Sequence, residues 1–232
     1  AGTAATAALA MAPADVLGKA KSKKKAQTGK IKILAVGVGG RGHAVINGIT
    51  FKGKDEIYDD IEFIGMCDVD QKYAKGVIDK YKKLFPNMKV YNDYKKMYAE
   101  LLDQADAVVC GTADHTHAII SAEALAAKKH VYCEKPLTRT VYESRLLTKL
   151  AAQAGVATQM GNQGASGEGV NLACEWLWNG EIGEVTRVDA FTDRPIWPQG
   201  LERPTEEHEI PSTLNWDAFI GPAPKRHYNS IY

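Results

Sequence analysis

The 232-residue sequence has no apolar run of about 18 residues, so it offers no helix able to span a bilayer. It has almost no net charge. Lys and Arg number 29 against 28 Asp and Glu, and a balance of +1 argues against nucleic acid as a partner. Cysteine is scarce: Cys67, Cys110, Cys133 and Cys174 show no C-x-x-C spacing, which removes a disulfide framework from consideration. Three of them lie in or at the ends of apolar runs, where a thiol acts as a small hydrophobe. His115 and His117 have no H-E-x-x-H or C-x-x-C partner, so no metal is expected.

Positive charge clusters once, in KAKSKKKAQTGK at residues 19–30, which is poor in apolar residues and reads as a solvated linker. The alanine-rich start, AGTAATAALAMAPA, lacks an initiator Met and a positive n-region. It nevertheless resembles the apolar part of a signal peptide, with an A-x-A-like site at Ala8-Leu9-Ala10. Residues 1–29 are therefore expected to be a signal remnant and linker, and the protein to be periplasmic or secreted. A cytoplasmic protein with an alanine-rich tail is the alternative.

From residue 30 onward short apolar runs alternate with longer amphipathic stretches. Strands are predicted over 30–37, 61–70, 90–91, 105–112, 130–134 and 156–161. Helices are predicted between them over 41–49, 71–83, 94–102, 116–127 and the stretch VYESRLLTKLAAQAG, with Asp93 as one cap and Gly155 as one stop. That rhythm predicts α/β architecture: a doubly wound parallel sheet, the Rossmann arrangement, over residues 30–162. After Gly161 the rhythm changes. Ser166 could cap a helix to about 179 and EVTRVDAFT (184–192) looks like a strand, so residues 163–232 are expected to begin a second α+β domain. One helix and one strand cannot enclose a core, so that domain is expected to be incomplete.

GVGGRG, residues 37–42, matches G-x-G-x-x-G directly after a predicted strand and before a predicted helix. Gly37 suits a tight turn, Gly39 a close approach of backbone to a pyrophosphate, and Gly42 close helix packing. Gly40 and Arg41 open the helix, where N–H donors and the helix dipole favour phosphate. Asp68 ends the second strand 26 residues past Gly42; the insertion FKGKDEIYDD accounts for the excess over the usual gap. A carboxylate there accepts from a ribose diol and repels a 2′-phosphate, which predicts NAD over NADP.

Ligands of open α/β sheets bind beyond the carboxyl ends of the strands. On this reading Thr112, Asp114, His115 and His117 follow strand four, Glu134 and Lys135 follow strand five, and Asn162 and Gln163 follow strand six. HVYCEKPLT poses the sharpest question, because a buried strand ends on a carboxylate and an ammonium, side chains rarely buried unless paired. A cleft that supplies polar ligand groups answers it.

GVGGRG, CDVD, GTADHTHA, CEKPL and QMGNQ resemble, in order and spacing, the Gfo/Idh/MocA family, and the resemblance runs over about 31–192. LNWDAFIGPAPKRHYN resembles an exported bacterial branch of it that often carries twin-arginine signals. The resemblance implies an NAD-dependent oxidoreductase acting on a sugar or polyol. It places Gly37, Gly39, Gly42 and Asp68 on the dinucleotide. Thr112 and His117 fall beside the nicotinamide ribose, with Ala113 standing where the family has proline. It places Glu134 on the nicotinamide side, Lys135 as a catalytic residue facing the reacting hydroxyl, and Asn162 and Gln163 in the substrate pocket. It also implies a cis bond before Pro136, a mostly antiparallel second-domain sheet, and association through that sheet. The family's His base, from a second-domain helix, has no match up to Tyr232. Arg194 and Trp197 suit a sugar platform. Some members of the family are NAD-dependent glycosidases, which is a second reading, and a non-catalytic nucleotide-binding protein is a third.

Overall fold

The structure, a computed structural model, describes residues 29–54, 56–193 and 200–232. Arg194, Trp197 and the expected signal remnant and basic stretch up to residue 28 lie outside the described residues.

Six strands form one parallel sheet: β1 (Ile31–Val36), β2 (Ile61–Cys67), β3 (Lys89–Tyr91), β4 (Ala107–Cys110), β5 (His130–Glu134) and β6 (Thr158–Gly161). Their order is β3-β2-β1-β4-β5-β6, and every neighbouring pair is parallel. The chain reverses its direction of winding at β1, and the switch point lies between β1 and β4. Helices α1 (Gly40–Thr50), α2 (Lys75–Leu84), α3 (Tyr94–Leu101), α4 (His117–Ala126) and α5 (Val141–Ala154) connect them.

Alternation along β1 divides the core in two. Ile33 and Ala35 face one side, packed with Val45, Ile46, Phe63 and Tyr81; Leu34 and Val36 face the other, packed with Met97, Val108, Ile120 and Val131. Helices on both faces explain why the strands read as continuous apolar runs. Local signals set the ends of the connectors. Asp93 accepts from Lys95 N at the start of α3. Thr140 and Glu143 form a reciprocal capping box on α5, and Gly155 closes it with φ +63°.

The second-domain expectations fare differently. Helix α6 (Glu168–Trp178) forms, but Gly167 rather than Ser166 stands at its N-cap, with extended backbone. Residues 184–192 make no strand, and Val188 and Phe191 are 80% and 94% exposed. A strand exists only through a paired neighbour, and residues 184–191 join no ladder among the described residues. No second sheet occurs among the described residues. Further along, α7 (Trp216–Ile220) folds back onto the first domain through Asn215 N, which donates to Val69 O, and an antiparallel bridge between Asp70 and Leu214.

Candidate functional site

Register creates the site. Val36 lies opposite Cys67 on one side and Cys110 on the other; Cys110 lies opposite Cys133, and Glu134 opposite Gly161. The following loops leave the sheet in one row. They bring the glycine turn, Asp68, Thr112, Glu134–Lys135 and Asn162–Gln163 to a common edge.

Gly37 has φ +73°, and a Cβ there would stand 2.6 Å from Thr112 N, so both conformation and crowding demand glycine. A Cβ on Gly42 would collide with Gly37 O and lie 2.9 Å from its carbonyl carbon; α1 rests directly on the turn before it. The N–H groups of Gly40, Arg41 and Gly42, in the first turn of α1, have no intrahelical acceptor and suit an anion. The space beside Gly39, expected to receive a pyrophosphate, holds the ring of Tyr73, whose Cδ1 is 2.5 Å from an ideal Cβ. Tyr73 is largely exposed, so the ring can swing away without disturbing the core.

Asp68 does more than its position implied. Oδ2 accepts from Val38 N at 2.9 Å and Gly39 N at 3.1 Å, and Oδ1 accepts from Asp70 N at 3.0 Å. The carboxylate therefore anchors the glycine turn. Burial pushes its pKa up from the ordinary aspartate value, and the three amide donors pull in the opposite direction. Capping before α2 falls to Asp70, whose Oδ1 accepts from Lys72 N and Tyr73 N at 3.0 and 3.1 Å. That turn delays α2 from the expected residue 71 to Lys75.

Glu134, only 3% exposed, meets a partner that no spacing rule reveals. Arg41 Nε stands 3.2 Å from its Oε1, joining the first turn of α1 to the end of β5 across 93 residues. Tyr132 also donates to Oε1 at 3.4 Å, and Lys135 N to Oε2 at 3.3 Å. The Arg41 side chain, expected near phosphates, is thus directed at the β5 carboxylate. Lys135 is exposed, its peptide bond to Pro136 is cis, and its ammonium has no partner among the described residues. Asn162 and Gln163 are exposed at the end of β6.

His117 departs from its expected place beside a ribose. It is fully buried, with Nδ1 2.7 Å from Pro136 O and Nε2 3.0 Å from Thr112 O. The ring ties the β4 loop to the loop after β5 and acts as a positioning residue beneath the edge. Ala113, in place of proline, has φ −68°, the value a proline ring would impose, so the turn keeps its shape. Thr112 remains at the surface of the cleft, its Oγ1 accepting from Thr116 Oγ1 at 2.7 Å.

Cys110, His117 and Cys133 also converge, their ligand-type atoms within 4.8 Å of one another. Both ring nitrogens of His117 already point at carbonyl oxygens, which leaves neither directed at an ion. The hydrogen bond to Cys110, and burial, push the Cys133 thiol up. These residues are core.

A cavity of about 910 Å³ follows the edge from the glycine turn past Asp68 to Thr112. Its outer wall comes from Leu214, Trp216, Phe219 and Tyr228, a contribution that the apolar periodicity of the first domain does not signal. Glu134 meets it through Arg41, which lines the cavity and pairs with Glu134, whereas Lys135, Asn162 and Gln163 follow on the same sheet edge outside its lining. A glycine cradle with free helix-end amides, an acid at the tip of β2 and a half-open cavity between them fit a dinucleotide.

Residues 31–162 match the Gfo/Idh/MocA profile, described as an oxidoreductase family with an NAD-binding Rossmann fold. The chain is 32% identical over 125 residues to an uncharacterized oxidoreductase of Schizosaccharomyces pombe, covering 53% of this chain and 33% of that protein. It is 27% identical over 129 residues to inositol 2-dehydrogenase of Salmonella typhimurium, covering 55% of this chain and 37% of that enzyme. The match therefore spans little more than a third of these relatives' length. The solved structure of scyllo-inositol dehydrogenase from Lactobacillus casei with bound NAD(H) and scyllo-inositol matches with TM-score 0.57 at 24% identity. That match covers 68% of this chain and 43% of the other, and the likeness is one of fold.

Proposed function

The chain belongs to the Gfo/Idh/MocA oxidoreductase family, with its NAD-binding Rossmann fold, and on that premise we propose that the protein transfers a hydride between a hydroxyl-bearing carbon of a sugar or polyol and nicotinamide. The observation that carries the reading is the continuity of the edge. The glycine cradle opens on one side to Asp68 and on the other, through Arg41, to Glu134, whose carboxylate also accepts from the Lys135 N–H.

NAD, when bound, supplies the hydride acceptor. The amides that open α1 hold the diphosphate. Asp68 fixes the turn and keeps an acceptor lone pair for a ribose hydroxyl; its charge disfavours a 2′-phosphate, which supports NAD over NADP. Thr112 lines the cavity, and His117 holds that loop against the cis-Pro136 loop. Glu134, fixed by Arg41, marks the nicotinamide side. The Lys135 ammonium donates to the oxygen of the reacting hydroxyl and stabilises the charge that develops as its proton leaves for a base. Asn162 and Gln163 offer polar groups to a polyhydroxylated substrate, and the inositol 2-dehydrogenase relative supports that substrate class. The alanine-rich start supports export. The exposed apolar residues of α6, Trp176 and Trp178 among them, support a second domain through which copies associate.

The test is turnover with NAD and a panel of inositols and free sugars, comparing the parent protein with Lys135→Ala. The parent should bind NAD, and should release NADH where a base stands at the reacting hydroxyl. The variant should lose a factor of about 100 or more in kcat while its NAD affinity stays within error. A mild loss, or cleavage of an aryl glycoside without net NADH, contradicts the reading.

A further inference from the structure

The Rossmann domain accounts for only one side of the cavity. The other side belongs to residues 213–232, a segment more than 50 residues past β6. It is pinned at three places. Gln71 N donates to Thr213 O at 3.1 Å, and Asn215 N to Val69 O at 2.8 Å, on the turn after β2. Asn215 Nδ2 donates to Asn92 O at 3.0 Å beyond β3. His115 Nε2 lies 2.7 Å from Phe219 O at the start of the turn into α4. The segment therefore bridges the loops after β2 and β4, the strands on either side of β1, and passes over the space between them.

It is also rigid in its own right. Trp216 stacks on Phe219 with ring centroids 5.2 Å apart and planes at 12°, and on Tyr232 at 5.7 Å and 26°. Tyr228 meets the indole edge-on at 5.1 Å, and Trp216 Nε1 donates to Arg226 O at 3.0 Å. Trp216 and Ile220 are buried, whereas Leu214, Phe219 and Tyr228 are only half-buried and turn their remaining surface to the cavity.

The chemistry of the two walls differs. The inner wall offers the polar glycine turn and the Asp68 carboxylate. The outer wall offers flat aromatic and aliphatic surface beside the residues that follow β2. A nucleotide whose ribose meets Asp68 would carry its base outward between Val69 and Tyr73 on one side and Leu214 and Phe219 on the other. A base is flat and apolar on its faces, and aromatic side chains bind such faces without regard to sequence.

We propose that residues 213–232 form the adenosine-side wall of the dinucleotide site, so that the chain grips its cofactor chiefly through the adenosine half. The inference rests on the cofactor reading above and adds a binding element outside the Rossmann domain. Phe219 and Leu214 are its contact residues. Trp216, buried behind them, is a positioning residue. A preformed wall needs little ordering when the ligand arrives, so its contribution appears in affinity.

Calorimetry of the full chain with NAD, ADP-ribose and nicotinamide mononucleotide tests this without reference to turnover. ADP-ribose should bind nearly as tightly as NAD, and nicotinamide mononucleotide far more weakly. Phe219→Ala should weaken NAD and ADP-ribose by the same factor, about tenfold, the loss of one aromatic face against a base. Phe219→Leu keeps the bulk and the backbone bond to His115, and should give a smaller loss in the same direction; it decides the matter if the alanine variant fails to fold. Folded protein that binds NAD but not ADP-ribose overturns the adenosine wall and leaves the cofactor reading standing. So does unchanged ADP-ribose affinity in a folded Phe219 variant. Folded parent protein that binds no NAD overturns both.

Discussion

Replacing Gly42 by alanine adds one methyl group at a point where the structure has no room for it. The new Cβ would overlap Gly37 O, stand 2.9 Å from the Gly37 carbonyl carbon and 3.4 Å from Gly111 O. All three neighbours are backbone atoms of the turn and the β4 loop, so no side chain can rotate aside. Relief requires α1 to move by about an ångström from the sheet, which places the cost at the upper end of overpacking, about 3 kcal/mol. For a chain of this size each kcal/mol is worth about 2–4 °C, so the melting temperature should fall by about 6–12 °C. NAD binding should be lost with the geometry of the helix end. Gly48 lies in the same helix with nothing within 4 Å of an added Cβ. Gly48→Ala should therefore stabilise by about 0.5–1 kcal/mol, through helix propensity and a less flexible unfolded chain. Differential scanning calorimetry of the two variants, with NAD titrations alongside, measures opposite signs for one substitution made twice in α1. Gly42→Ala melting within a degree or two of the parent would refute the close approach of α1 to the glycine turn.

Arg41→Ala strands Glu134 without its cation. The arginine side chain is 45% exposed, so solvent screening reduces the usual buried-pair penalty to about 1–3 kcal/mol. Urea unfolding should show that loss in the parent background and little of it in Glu134→Gln; equal losses in both would dissolve the pair. Asp68→Ser should weaken NAD by about tenfold, narrow the preference over NADP, and lower the melting temperature because Val38 and Gly39 lose their acceptor. An unchanged NAD preference would count against the ribose contact. For His43, burial and then the charge of Lys80 hold the imidazole pKa below its ordinary value of 6.5. The stability this group contributes is present above pH 6.5 and declines as pH falls through its lowered folded value. NMR titration should give a midpoint below 6.5 that rises in Lys80→Met; a midpoint indifferent to Lys80 would contradict the assignment.

The parallel sheet was legible because each strand is a short apolar run ended by glycine, an acid or a threonine, and each connector repeats with helical spacing. The glycine turn was legible for the same reason: position after a strand gives an otherwise weak motif its meaning. What escaped was long-range. Arg41 and Glu134 are 93 residues apart and read separately as a phosphate ligand and a nicotinamide-side acid; only the register of β5 against β4, and of β4 against β1, brings them together. Asp68 was read as facing a ligand, yet it also takes the amides of the turn, because a carboxylate can accept from several donors at once. His117 was placed on the cleft by its motif, but a ring with carbonyl oxygens at both nitrogens packs beneath it. The stretch 184–192 looked like a strand from its β-branched and aromatic residues, a preference for pleated surface that cannot supply the neighbour that pairs the backbone.

The most direct test is a crystal structure of the protein grown with NAD. The diphosphate should lie on the amides of Gly40 and Arg41, with the Tyr73 ring displaced from Gly39. The adenosine ribose should meet Asp68, and the nicotinamide should reach the side of Glu134 and Lys135. Density for the nucleotide anywhere other than this edge, or a nicotinamide directed away from Lys135, would contradict the account.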